Sequence, residues 1–162
     1  MKYIVLTGRF LYSLIFLFTI VNHFSPTAIS VASSMGIPAP EYLVPLSGVF
    51  AVAGALSIMI GYKARWGAWL LVAFLVPVTI VMHPFWKETE MFQMEMQLAM
   101  FTKNVSLLGA AFIISYFGAG PMSFDEDNKM HVERFKHSRR ATRFANSIGS
   151  VEFTRESLRK YT

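Results

Sequence analysis

The sequence predicts an all-α integral membrane protein: a four-helix bundle with a short interfacial helix between spans one and two. Three observations carry this prediction. Hydrophobic residues make up 54% of the 162-residue chain and mean hydropathy is +0.43, a balance that soluble domains rarely reach. Four stretches approach the roughly 20 apolar residues that a helix needs to cross the hydrocarbon core, each set off by polar or helix-breaking residues. Finally, Lys and Arg collect at alternate connections, as the positive-inside rule requires of short cytoplasmic loops.

The first span runs from Tyr3 to His23. Lys2 and Arg9 precede its apolar run from Phe10 to Val21, which gives it the look of a secretory signal. The run, however, ends in Asn22, His23, Phe24 and Ser25, the best small-residue site lies further on near Ala28, and three more spans follow, so it reads as an uncleaved helix. In the first connection Ala28, Ile29, Ala32 and Met35 share one helical face, with Gly36 as a stop before Pro38 and Pro40; this is the interfacial helix. The second span, Tyr42 to Ile60, repeats Ser47, Ala51 and Ala55 every four residues, joined by Gly48 and Gly54, a spacing that lets helices approach closely. The third, Trp66 to Met82, is the shortest and contains Pro77, which removes a backbone donor and is expected to kink it. The fourth runs from Leu98 to Phe117.

Charge sets the sides. Lys2, Arg9, Lys63, Arg65 and the tail cations Lys129, Arg134, Lys136, Arg139, Arg140 and Arg143 belong inside. The first connection has only Glu41, and the third sets Lys87 against Glu88, Glu90 and Glu95, so both belong outside. The expected location is a bacterial inner membrane with both termini cytoplasmic. Residues 1–124 form the bundle and 125–162 a basic cytoplasmic tail, partly disordered, whose stretch from Met130 to Phe144 is either solvated or laid on the membrane as a basic helix. Nine of the fifteen Lys and Arg lie beyond Asp125, which suits anionic lipid and argues against nucleic acid as the partner. The chain has no cysteine, so it forms no disulfide, attacks with no thiolate and holds no iron–sulfur cluster through its own thiolates.

With the sides fixed, the polar groups of the spans gather on one side. His23 ends the first span, His83 ends the third, and Gln97, Lys103 and Asn104 begin the fourth. Lys103 lies about 8 Å along the helix from Leu98 at the usual rise, within the apolar layer or snorkelling from it. The sharp reading is an outward polar pocket between spans one, three and four, where Lys103 and Asn104 hydrogen-bond a carbonyl or anionic group and the histidines exchange protons near neutral pH. A quinone headgroup or a small oxyanion would suit it. The bland reading makes each histidine an interfacial residue, with His83 merely ending a helix before Pro84; for Lys103 with Asn104 the pocket is favoured, because depth raises the cost of an idle charge. Arg9 reads as snorkelling to inner-leaflet phosphates, or alternatively as paired with Asp125 or Glu126, which would fix span one against span four. No spacing rule supports His23 and His83 as axial haem ligands. Met91, Met94, Met96 and Met100 near His83 would suit Cu(I), but methionines at helical spacing beside Phe92 read as packing. No metal site is assigned.

These residues resemble the DoxX family. Arg9 opening the first span, Asn22 and His23 closing it, His83 followed by Pro84, Phe85 and Trp86, and Lys103 with Asn104 all match in order. So does the exit of the last span, Gly118, Ala119, Gly120, Pro121, Met122, Ser123, Phe124 and Asp125, which is similar to the family's Gly-Pro-Gly then Ser-Leu-Asp pattern. The resemblance covers roughly the first 125 residues. It implies a four-helix membrane bundle and kinship with thiosulfate:quinone oxidoreductase subunits and membrane partners of redox enzymes. The candidate ligand site comprises Asn22, His23, His83, Gln97, Lys103 and Asn104, with structural roles for Arg9, Gly54, Gly120, Pro121 and Asp125. One departure matters. Many members carry a glutamate three residues before a Gly-Gly pair in the second span; here that position is Ala51 and the pair is Gly54 and Ala55. The expectation is a subunit of a membrane redox system, working with another membrane or redox subunit or a second copy of itself. The alternative is a non-catalytic scaffold or assembly factor whose small-residue face holds other helices.

Overall fold

The computed structural model describes residues 2–126, within a compact unit that spans Met1–Glu126. The basic tail and its Met130–Phe144 stretch lie outside the described residues. Five α-helices follow one another: α1 (Lys2–His23), α2 (Pro26–Ser34), α3 (Pro40–Ile60), α4 (Ala64–Met82) and α5 (Met91–Phe117), with a single 3-10 turn at Phe85–Lys87 between the last two. Four of them, α1, α3, α4 and α5, are long and apolar enough to cross a membrane.

The short α2 is the helix expected in the first connection. It starts because Ser25 Oγ accepts from the Ala28 amide at 3.2 Å, with Pro26 occupying the first-turn position where a missing N–H costs nothing. It stops at Gly36, whose φ of +79° lets the Ile37 and Gly36 amides turn back to the Ala32 and Ser33 carbonyls.

α4 continues through Pro77, and α3 tolerates Pro45 one turn from its start. α5 is longer than hydropathy suggests: it begins at Met91, seven residues before Leu98. Its first turns carry Gln93, Glu95 and Gln97, which depress the apolar signal without disfavouring a helix. At 1.5 Å per residue its 27 residues extend about 40 Å, beyond a hydrocarbon layer of about 30 Å.

Packing runs α1 on α3, α3 on α4 and α4 on α5, while α1 and α5 scarcely approach each other. Small residues bring α3 against its neighbours. A Cβ on Gly54 would stand 2.7 Å from the Gly67 carbonyl of α4, and one on Gly48 would stand 2.7 Å from His23 Cβ of α1. The core cluster holds Phe16, Ala51, Ala55, Ile58, Ala68, Leu71, Phe74 and Leu75. Outside it, Phe18, Tyr116 and Phe117 are more than two-thirds exposed, as expected of side chains whose solvent is lipid. The small-residue face of α3 is therefore consumed inside the bundle.

Candidate functional site

A cavity of about 700 Å³ occupies one half of the bundle, at the end where α1 and α4 finish. It is bounded by all four spans, α3 included, where the sequence pointed to spans one, three and four. His23, His83, Lys103 and Asn104 all line it. Most other walls are aliphatic or aromatic: Phe16 and Ile15 from α1, Leu46 and Phe50 from α3, Phe74 and Val78 from α4, Leu107 from α5. Ala28 of α2 with Ile37 and Pro38 of the following turn covers the end of the bundle.

Each polar group has its own setting. His83 caps the C-terminal end of α4, and its Nδ1 lies 2.8 Å from Gln97 Oε1. In the tautomer with its proton on Nδ1 the ring donates to the Gln97 oxygen and leaves Nε2 as an acceptor. Gln97 does not line the cavity; it orients a residue that does. His23 stacks edge-on against Phe74 with ring centroids 5.4 Å apart, and its Nδ1 lies 3.5 Å from Ser47 Oγ, whose own proton goes to the Val44 carbonyl. Asn22 lies in α1 beside His23; its side chain falls outside what the structure describes.

Lys103 is exposed, and its Nζ lies 3.4 Å from Met100 Sδ, a weak acceptor that leaves most of the ammonium's donor capacity unused. Asn104 is the opposite case. It is 6% exposed, lines the cavity, and has no hydrogen-bond partner among the described residues. Sequence reading missed one further group. Pro77 removes the N–H that would ordinarily reach the Ala73 carbonyl, and both residues line the cavity; a proline in a span was the available signal.

The other end of the bundle is a latch. Arg9 is 4% exposed, and its Nη2 donates to the Met122 carbonyl at 2.7 Å, so it does not snorkel to lipid phosphates. The carboxylates offered to it by the sequence bond elsewhere. Asp125 accepts from the Lys63 and Ala64 amides at 2.8 and 3.0 Å, and Glu126 accepts from the Met122 amide at 2.7 Å. Arg9 thus ties α1 to the segment after α5 through a carbonyl. Asp125 caps the start of α4, whose own N-cap Lys63 is left-handed and offers no side-chain cap. Gly61, at φ +75°, permits the approach, since a Cβ there would stand 2.5 Å from Arg9 Nη1. Gly120 has a positive φ of 70°, and its carbonyl accepts from Ser123 Oγ at 2.7 Å in the turn that follows Pro121. Met91, Met94, Met96 and Met100, expected as packing residues, are exposed along α5, and of the four Met100 lines the cavity.

The model of a family described as DoxX matches residues 4–84, which takes in α1 to α4. No curated protein and no solved structure matches the chain.

Proposed function

The chain belongs to the DoxX family, and from that membership we propose that it is a membrane subunit of a redox system, holding a quinone ring in the cavity between its four spans. The observation that carries this reading is Asn104. Its carboxamide makes no hydrogen bond to a described residue and opens onto a volume large enough for a ring, so its donors and its acceptor are available to a ligand. Its two ends suit both redox forms. The –NH₂ donates to a quinone carbonyl, and Oδ1 accepts from a quinol hydroxyl.

Lys103 adds a mobile cation that favours the reduced, anionic forms, and His23 and His83 stand at the rim to exchange protons with water. The apolar walls favour a ring over a small oxyanion. Having no thiolate of its own, the chain passes the electrons to a partner protein. In this reading the cavity lies on the outer side of a bacterial inner membrane with both ends of the chain cytoplasmic, and the distribution of Lys and Arg supports that orientation. The scaffold alternative keeps the missing second-span glutamate in its favour, but the small-residue face it would offer to other helices, Gly48, Ala51, Gly54 and Ala55, is buried within the bundle.

The test is quinone titration of the purified protein in lipid nanodiscs. Asn104→Leu should weaken binding by about ten- to a hundredfold, because it removes the donor and the acceptor that meet the ring. Lys103→Met should abolish binding without unfolding the bundle. An Asn104→Leu protein that binds quinone as tightly as the wild type overturns the proposal.

A further inference from the structure

We infer that the cavity is loaded from the bilayer, through the seam between α1 and α5, and that the tail of its ligand stays in that seam. The inference rests on the quinone reading above and adds a route and a second half to the ligand. Four helices in a ring have four seams, and three of these are packed: α1 with α3, α3 with α4, and α4 with α5. The fourth is not. Across it one hydrogen bond is made, from Tyr12 Oη to the Leu107 carbonyl at 3.0 Å.

That bond has a definite position. Ile15 is the innermost cavity residue of α1 and Leu107 the innermost of α5, so Tyr12 closes the seam just below the floor of the cavity. Above it, the residues that line the cavity from the two sides of the seam are Ile15 and Thr19 on α1, and Met100 and Lys103 on α5. Thr19, Met100 and Lys103 are exposed, so the same side chains face the cavity and the surroundings of the bundle. Lys103 lies about 18 Å from the start of α5 at the usual helical rise, a depth at which the surroundings of a spanning helix are acyl chains and not water.

At the end of the bundle α2 packs against α3 and α1, and Ala28, Ile37 and Pro38 line the cavity there. An open seam of this kind, with a cation and a carboxamide behind it and apolar walls around it, fits one class of occupant. This is a membrane-dissolved molecule with a single hydrogen-bonding head and a hydrocarbon tail. The head meets Asn104 and Lys103, and the tail leaves between Thr19 and Met100. A compact water-borne anion has no tail to fill the seam and no reason to enter from lipid.

Thr19 is the residue to change. Its hydroxyl bonds only the Ile15 and Phe16 carbonyls of its own helix, so replacing it leaves no partner elsewhere unsatisfied. The experiment compares the wild type, Thr19→Trp and Phe18→Trp in nanodiscs, titrated with a decyl-substituted benzoquinone and with the same ring lacking its tail. Phe18 is 77% exposed and does not line the cavity, so it controls for an added indole at the same depth. The expected result is that Thr19→Trp weakens the tailed quinone by about tenfold or more, through steric exclusion of the tail, and leaves the tail-less ring unchanged. Phe18→Trp should change neither.

Unchanged binding of the tailed quinone to Thr19→Trp overturns the seam and leaves the quinone reading standing. Equal affinity of the wild type for the tailed and tail-less rings also overturns it, since the tail then has no site. Failure of the wild type to bind either ring removes the quinone reading, and the seam with it.

Discussion

Asp125 shows how much one carboxylate can hold. Its two oxygens accept from successive amides at the start of α4, and its own amide donates to the Gly61 carbonyl at 2.9 Å. An N-terminal cap contributes about 1 kcal/mol, and charge at the positive end of the helix dipole adds to it. Asp125→Ala should therefore lower stability by about 1–2 kcal/mol, read as an earlier midpoint in denaturant unfolding of the detergent-solubilised protein. Ser13 gives the opposite sign. Its Oγ is buried without a partner, so Ser13→Ala should be neutral or stabilising by up to about 1 kcal/mol in the same measurement. The two roles were unequally legible in the sequence. The Ser-Phe-Asp ending marked Asp125 as notable, but a cap supplied from 61 residues away leaves no local pattern, and nothing in a serine's neighbours shows whether its hydroxyl finds an acceptor. Of the two readings of Arg9, snorkelling fails for a related reason. Its place near the end of a span suits snorkelling, and only the fold brings the Met122 carbonyl within 2.7 Å.

Among the elements, α3 and α5 use glycine in opposite ways. Gly54 is a contact point, where an added methyl would strike the Gly67 carbonyl and Leu71 Cγ at 2.7 and 2.8 Å, whereas Gly109 on α5 has nothing within 4 Å of the same added atom. Gly54→Ala should thus force α3 and α4 apart at about 1–3 kcal/mol, while Gly109→Ala should stabilise by about 0.5–1 kcal/mol through helix propensity alone. Thermal unfolding of the pair, side by side, checks both. The small-residue spacing in α3 was readable, since Ser47, Ala51 and Ala55 recur at helical intervals. Which neighbour it meets was not, because periodicity gives a face and no direction. The early start of α5 was hidden for a different reason: Gln93, Glu95 and Gln97 lower a hydropathy average that says nothing about helix propensity. The cavity's polar lining could be anticipated from the depth of Lys103 and Asn104. Its apolar walls could not, because a leucine facing a void and a leucine facing lipid look alike in a sequence.

At the scale of the molecule, the span count follows from hydropathy and is matched by four helices of sufficient length among the described residues. The direction of insertion rests on Lys63, Arg65 and the acidic third connection. The absence of cysteine makes it straightforward to measure: a thiol introduced by Glu88→Cys should react with a membrane-impermeant reagent on intact cells, and one introduced by Arg65→Cys only after lysis. Reversal of that pattern would invert the assignment of sides. The latch also bears on the order of events while the chain is made. The start of α4 stays uncapped until Asp125 has been synthesised, 61 positions later, by which time the whole of α5 has been synthesised too. Arg9, placed in the membrane first, likewise waits for the carbonyl of Met122. The bundle can be assembled span by span, but it locks only when its last described turn arrives. A chain cut short at Phe117 would carry all four spans and none of the closure, leaving quality control a fully inserted but unfastened protein to recognise.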